Sequence, residues 1–152
     1  MDSFKITSIV LGVLLLLCCG GGIFMMSQVT DAMDKRATEA KEFGDAATVQ
    51  ILKGWDAEVL SDLATKRYRD SFTVEQFQKS LDGNKKALGA FSTGSGQAKV
   101  IKADKDGDKK VLKMEYTNRA SFENGRGKVV MHLLVEDKTW KIDLFRIDPD
   151  DG

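Results

Sequence analysis

Residues 111–136 read VLKMEYTNRASFENGRGKVVMHLLVE, and the order of side chains in this segment is typical of two antiparallel strands. Apolar and polar residues alternate over residues 111–122 and again over 129–135, with the period of two that places successive side chains on opposite faces of a strand. Asn124-Gly125, between the two runs, is a strong signal for a tight turn. The segment therefore predicts a β-hairpin.

The same period of two continues on both sides of this hairpin. One further strand is predicted at residues 98–101 and another at 139–147, with turn sequences at 104–108 and 136–138 that connect them to the hairpin. Glycine and serine at residues 92–96 predict a flexible turn ahead of the first strand. The second half of the chain is therefore predicted to form a four-stranded antiparallel meander.

The preceding segment has the period of a helix. Apolar side chains recur every four residues over residues 47–63 and include Trp55, so that one stripe of a helix would be apolar. Thr73 and Gln76 form a capping-box sequence, which predicts the start of a second helix that ends at Leu88. Helices followed by an antiparallel sheet predict an α+β fold in which the helices cover one face of the sheet.

The beginning of the chain differs in composition from the rest. The run from Ile6 to Met26 has no charged side chain, and its roughly 21 residues span about 31 Å as a helix, enough to cross a bilayer core. It predicts a single N-terminal transmembrane helix within residues 1–28. Two alternatives remain open, namely a cleaved secretory signal and lipidation of Cys18 or Cys19.

Residues 29–45 are polar and rich in alanine, and they predict a juxtamembrane stalk, with a partner-binding helix as the alternative. Gly44 is expected to interrupt any helix in this segment. Residues 46–152 are long enough to form one domain with a modest core. Basic residues flank the apolar run on both sides, so that charge alone leaves its orientation open. We expect the domain to be periplasmic or extracellular, because the N-terminal segment is similar to a signal anchor.

The charges of the chain are balanced. It has 23 basic and 23 acidic residues, whereas a nucleic-acid-binding protein normally has a basic excess that binds phosphates. We therefore expect no nucleic-acid partner, and we interpret the basic pairs Lys66-Arg67 and Lys109-Lys110 as solvated surface. Both cysteines lie in the apolar run, so the predicted domain has no internal disulfide.

Neither a metal nor a cofactor is expected. The sequence DKDGD at residues 104–108 is rich in carboxylates, but its glycine is at the fourth position, and a calcium-binding EF-hand requires glycine at the sixth. A polar turn explains this sequence better. The GSG sequence at residues 94–96 lacks the preceding strand and following helix of a dinucleotide-binding loop.

Several features of the chain, in this order, resemble one family. They are a Trp-bearing helix, Tyr68-x-x-Ser71-Phe72-Thr73-x-Glu75-x-Phe77, Leu88-Gly89, Tyr116-x-x-x-Ala120-x-Phe122-x-x-Gly125, and a last strand with Trp140-Lys141-Ile142 and Phe145-x-Ile147. Over residues 49–148 the chain resembles the small NTF2-like domains, of cystatin-like fold, in bacterial membrane-anchored and exported proteins of unassigned function. The resemblance implies a curved sheet wrapped around the long helix as a cone, whose mouth family members use as an enzyme pocket, a ligand pocket or a dimer face.

Some members of this superfamily are enzymes. Those similar to ketosteroid isomerase or to dehydratases use an Asp, His or Tyr inside the cone as acid and base. The candidate positions on the inner strands of this chain are His132, Tyr116 and Asp143. For His132 a structural or surface role is expected ahead of a catalytic one, and Asp143 is either exposed at a sheet edge or buried on a face shared with Phe145 and Ile147.

Two classes of function follow. We expect a membrane-anchored, non-enzymatic domain that binds a protein, peptide or small ligand at the cell envelope, because the chain has one histidine and no dense acid–base cluster. The alternative is a small isomerase or dehydratase, which needs a buried carboxylate or histidine with a partner within hydrogen-bond reach. A homodimer through the sheet face is a third possibility, which predicts exposed apolar residues on strands 111–122 and 129–135.

Overall fold

The computed structural model describes residues 31–150, apart from the side chains of residues 104–106. The apolar run at residues 6–26 lies outside this part of the chain. Within the described part, no helix combines the length and the apolar character needed to cross a membrane. The chain divides into two units, residues 1–36 and 37–152, and the helices and strands named below belong to the second unit.

The second unit begins with four helices. Within this unit, residues 37–54 belong to helix α1, while α2 covers Ala57–Leu63, α3 covers Lys66–Ser71 and α4 covers Val74–Leu88. The two longest helices, α1 and α4, supply buried side chains to one hydrophobic core, and α2 packs against α4. Helices therefore precede the sheet in the chain, as the sequence predicts.

Helix α1 passes through Gly44 without interruption, so the expected break at this residue is wrong. A Cβ atom at Gly44 would lie only 2.3 Å from Cδ2 of Tyr116. The glycine is therefore required by the close packing of the Tyr116 ring on the helix backbone. Ala40 and Ala47, which flank Gly44 along α1, are also buried.

The single helix predicted over residues 47–63 is broken after Gly54. Trp55 has a positive φ of 51°, and the Asp56 carboxylate caps the next helix by accepting a 2.8 Å hydrogen bond from the backbone N–H of Glu58. Trp55 nevertheless enters the core, where only 3 % of it is exposed. The four-residue spacing thus predicted correctly that these apolar side chains are buried, but it predicted wrongly that the helix is continuous. The two results are compatible because a capped turn keeps the apolar side chains on the same side.

Helix α4 begins and ends where the sequence predicts. The hydroxyl of Thr73 accepts a 3.2 Å hydrogen bond from the Gln76 backbone N–H, and the Gln76 side chain accepts one of 2.8 Å from the Thr73 N–H. This completes the capping box. At the other end Gly89 has φ 76°, a conformation that favours glycine after a helix.

An antiparallel sheet follows the helices. Its described strands are β1 (Phe91–Thr93), β2 (Gly96–Asp106), β3 (Lys109–Phe122), β4 (Gly125–Glu136) and β5 (Thr139–Pro149). Strand β3 pairs with β4, β4 pairs with β5, and β1 and β2 both pair along the other edge of β3. The predicted α+β class and the order of the four-stranded meander are confirmed, and β1 is an addition to it.

Strand β1 occupies part of the segment predicted as a flexible turn. A Cβ atom at Gly94 would lie 2.5 Å from Oδ1 of Asn118, and one at Gly96 would lie 2.4 Å from Cζ of Tyr116. Both glycines therefore allow core side chains to approach the edge strand closely. Sequence composition alone does not distinguish this use of glycine from flexibility.

Successive residues of β3 and β4 point to opposite faces of the sheet, here called the core face and the outer face. The core face packs against the helices through fully buried side chains, which include Met114, Tyr116, Met131 and Leu133. The rings of Trp55 and Phe122 complete the packing, with centroids 5.8 Å apart. Apolar side chains thus fill the space between the helices and the sheet.

The two edges of the sheet differ. Along β5, the backbone N–H of Thr65 donates a 2.8 Å hydrogen bond to the carbonyl of Ile142, and Ala64 forms an isolated parallel bridge with the same residue. The chain between α2 and α3 therefore covers part of the β5 edge. Along β2, a bulge after Val100 interrupts the regular register with β3.

Candidate functional site

The outer face of the sheet carries charged side chains. Glu115 on β3 lies 3.3 Å from the Lys99 ammonium on β2, and its other oxygen lies 3.6 Å from Nε2 of His132 on β4. Val135, the exposed large apolar residue among the described residues of β3 and β4, lies on the side of Met131 and Leu133 and not on the outer face. This face therefore combines charged side chains with apolar ones such as Val111 and Leu134, in contrast to the apolar core face.

Strand β5 has a bulge at Asp143. This strand has one residue more than β4 between two consecutive pairs, and the extra residue is Asp143. The carboxylate consequently reaches Lys113 on the outer face, whereas Phe145 and Ile147 contribute to the core. The expectation that Asp143 shares a face with Phe145 and Ile147 is wrong, because the bulge resets the alternation of side chains along the strand.

Asp143 is buried and is hydrogen-bonded through both carboxylate oxygens. Oδ1 accepts bonds from the hydroxyl of Thr65 at 2.9 Å and from Nε of Arg67 at 3.2 Å. Oδ2 accepts a bond from Nη2 of Arg67 and lies 3.2 Å from the Lys113 ammonium. Burial raises the pKa of Asp143, but the bonds from Arg67, Thr65 and Lys113 outweigh it and hold that pKa below its ordinary value of 3.8.

A cavity of about 270 Å³ opens beside this carboxylate on the outer face. Side chains from α3 and from four strands line it: Arg67, Lys102, Val111, Lys113, Leu134 and Asp143. Among these described lining residues, three are cationic and one is anionic. Lys102 and Lys113 are direct cross-strand partners, an arrangement in which like charges repel each other.

His132 lies on the outer face, near this cavity. Burial lowers its pKa below 6.5, and the positive charges of Lys113 and Arg146 lower it further, although Glu115 raises it. These effects together favour the neutral form of the imidazole. Its contact with Glu115 accounts for it as a surface residue of the sheet.

Tyr116 lies on the core face and belongs to a different polar group. Its hydroxyl donates a 2.6 Å hydrogen bond to Oδ1 of Asp45 on α1 and accepts one of 2.8 Å from the Asn118 side chain. Burial and the hydrogen bond to Asp45 raise the pKa of Tyr116 well above its usual range. The same oxygen of Asp45 accepts a 2.8 Å bond from the Gly96 backbone, and the Lys41 ammonium lies 2.6 Å from the other oxygen.

The three candidates from the sequence are thus not brought together in one site. Tyr116 faces the core, whereas His132 and Asp143 belong to the outer face, where both interact with Lys113. An ionised Asp143 held by two cations is a weak base, and a tyrosine with a raised pKa is a weak acid. The interactions of Asp143 and Tyr116 therefore favour fixed charge states of these groups over proton transfer.

A second cavity, of about 320 Å³, lies between α1 and β1. It is lined by Val49, Lys53, Phe91, Ser92, Thr93 and Gly94, of which one is charged. Among residues 31–150, no group of three or more His, Cys, Asp or Glu side chains is arranged to hold a metal ion. The cavity beside Asp143 is therefore the richer in groups that recognise a ligand.

Sequence reasoning did not identify the residues that surround Asp143. Arg67 was interpreted as solvated surface, whereas it pairs with the buried carboxylate although 70 % of its side chain is exposed. Lys113 belongs to the polar half of the alternating run 111–122, and Lys102 lies just beyond the strand predicted at 98–101. The alternation of side chains along the strands identifies the outer face. The side chains that interact there with Lys113 and the cavity come from α3 and from the bulge in β5, and neither of these has a sequence signal of its own.

Comparison with known proteins adds no relative. No protein-family model matches the chain, and no curated protein is detectably similar to it. The resemblance to NTF2-like domains therefore stays a prediction.

Proposed function

We propose that this chain is a membrane-anchored, non-enzymatic binding domain of NTF2-like type that holds a ligand in the cavity beside Asp143. The observation that carries the proposal is the contrast between the two faces of the sheet. Met114, Met131 and Leu133 fill the core face, whereas the outer face has an open cavity with convergent charged groups. Concave sites with a few convergent polar groups are the usual places of ligand binding.

The anchored, exported character of the domain is part of this proposal. It is supported by the length and composition of the uncharged run from Ile6 to Met26. A reporter that is active in one compartment only, fused after Gly152, tests on which side of the membrane the domain lies. We expect activity from an extracytoplasmic reporter and none from a cytoplasmic one.

The isomerase or dehydratase alternative has less support. Asp143 meets the requirement for a buried carboxylate with partners, but those partners hold its pKa low, whereas a general base near neutral pH needs a raised one. Dimerisation through the outer face also has little support, because charged residues such as Lys113 and Glu115 occupy it.

The proposed site can be mapped directly by NMR. The full chain, methyl-labelled and in an uncharged detergent, is titrated with a library of small fragments of mixed charge. We expect shift changes at the methyl groups of Val111 and Leu134, which line the cavity. Changes confined to the core methyl groups of Met114 and Met131, or no changes at all, would overturn the proposal.

A further inference from the structure

We infer that the ligand of the cavity beside Asp143 is a small organic anion, in which a carboxylate contacts the cations and a short aliphatic arm contacts Val111 and Leu134. This inference rests on the proposed binding function and specifies its ligand. The first argument is charge, since Arg67 and Lys113 both line the cavity and, among the described side chains, both pair with the one carboxylate of Asp143. An anion would balance the second of these two positive charges.

The second argument is the unused hydrogen-bonding capacity of Arg67. A guanidinium has five N–H donors in a planar fork, and Asp143 contacts two of its nitrogens, Nε and Nη2. Because 70 % of the side chain remains exposed, its other edge can bind a second carboxylate without releasing the first. Asp143 thus acts as a positioning residue that presents the guanidinium to the cavity.

The third argument is the shape and lining of the site. Val111 and Leu134 are only partly buried, and they line the same cavity as the cations. A volume of about 270 Å³ corresponds to about nine water molecules at roughly 30 Å³ each, and hence to a ligand with a similar number of non-hydrogen atoms. A six-carbon acid such as hexanoate has the required size, charge and apolar arm.

Calorimetric titration of the full chain in an uncharged detergent tests this inference. The probes are hexanoate, hexanol and hexylammonium, which share the apolar arm and differ in charge. We expect hexanoate to bind with one-to-one stoichiometry and at least tenfold more tightly than the other two, since a charge-assisted hydrogen bond contributes about one factor of ten. N-acetylleucine, compared with hexanoate, tests a peptide carboxyl terminus as the source of the carboxylate, and its amide, which lacks the carboxylate, should bind more weakly than the acid.

Two variants connect the binding to the cavity. Lys102→Gln removes a cation that lines the cavity, and we expect it to weaken hexanoate binding by roughly three- to tenfold. Lys99→Gln removes a cation of the same strand that pairs with Glu115, and should leave the affinity unchanged.

The experiments distinguish a failure of the anion inference from a failure of the proposed binding function. Equal binding of hexanol or hexylammonium at the cavity would overturn the inference of an anion and leave the binding function in place. A lack of hexanoate binding, or an equal effect of Lys102→Gln and Lys99→Gln, would also overturn the inference. The binding function itself is decided by the fragment titration, which contains ligands of every charge.

Discussion

The hydroxyl of Tyr116 donates a 2.6 Å hydrogen bond to Oδ1 of Asp45 and thereby joins the middle of the sheet to α1. The same carboxylate oxygen also accepts a bond from the backbone N–H of Gly96 on the edge strand. Three elements that are far apart in the sequence therefore meet at one carboxylate. Asn118 completes the group by donating to the Tyr116 hydroxyl.

We expect Tyr116→Phe to lower the free energy of unfolding by about 1–2 kcal/mol. The substitution keeps the ring on Gly44 but removes the hydroxyl, so that the Asn118 side chain loses its hydrogen-bond acceptor in the core. Urea unfolding followed by circular dichroism measures the change. Hexanoate binding should stay as in the wild type, because Tyr116 lies on the core face.

The contact of Gly44 with Tyr116 gives a second prediction. Gly44→Ala should destabilise the protein by about 1–3 kcal/mol, because its Cβ would overlap the Tyr116 ring. In the interior of α4, Gly83 has open space around its Cβ position, so Gly83→Ala should stabilise by about 0.5–1 kcal/mol. The two melting temperatures should therefore move in opposite directions, and a rise for Gly44→Ala would contradict the close contact.

Asp143 and Asp45 together predict how stability depends on pH. The folded-state pKa of each lies below the ordinary value of 3.8, so the unfolded chain binds protons at these groups at a higher pH than the folded chain does. Their stabilising contribution is complete above about pH 4 and is lost as the pH falls through the folded-state pKa values. Urea titrations at neutral pH and at several acid values measure this fall.

The variant Asp143→Asn isolates the contribution of Asp143 to the stability of the fold and to its pH dependence. We expect a loss of about 2 kcal/mol at neutral pH, less than for a fully buried pair, because the Arg67 that is left behind can be rehydrated. The stability of this variant should also fall less steeply below about pH 4. Identical acid dependence in the variant and the wild type would show that the Asp143 pKa is unshifted.

His132 reports on the charge of Lys113. The chain has one histidine, so NMR of the untagged protein follows a single imidazole titration. We expect its pKa to lie below 6.5 and to rise in Lys113→Gln, because burial and the Lys113 charge both lower it. Lys86→Gln, on the surface of α4, is the matched control and should leave the titration unchanged.

Sequence patterns among neighbouring residues predicted those elements of the fold that depend only on neighbouring residues. The capping box of Thr73 and Gln76, the tight turn before Gly125 and the alternation along β3 each depend on a few neighbouring residues. They yielded α4, the central hairpin and the α+β order. The break at Trp55 escaped prediction, because a capped turn can preserve the four-residue spacing of buried side chains.

The candidate site was only partly predictable. Asp143 was identified as a candidate, but its surroundings depend on a bulge in β5 and on the approach of Arg67, which is 76 residues away in the sequence. The roles of Gly44, Gly94 and Gly96 were predicted wrongly for the same reason. Each appears in the sequence as a breaker or a flexible residue, and only the position of Tyr116 or Asn118 in space explains it.

The backbone contact between residues 64–65 and Ile142 has a consequence for self-association. An unpaired strand edge is a template on which a second chain can add a strand and begin aggregation. Ala64 and Thr65 occupy that position on β5, and on β2 the bulge after Val100 and the charged Lys99 and Lys102 make the opposite edge irregular. Part of each flank of the sheet is thus obstructed against the strand addition that begins fibril-like growth.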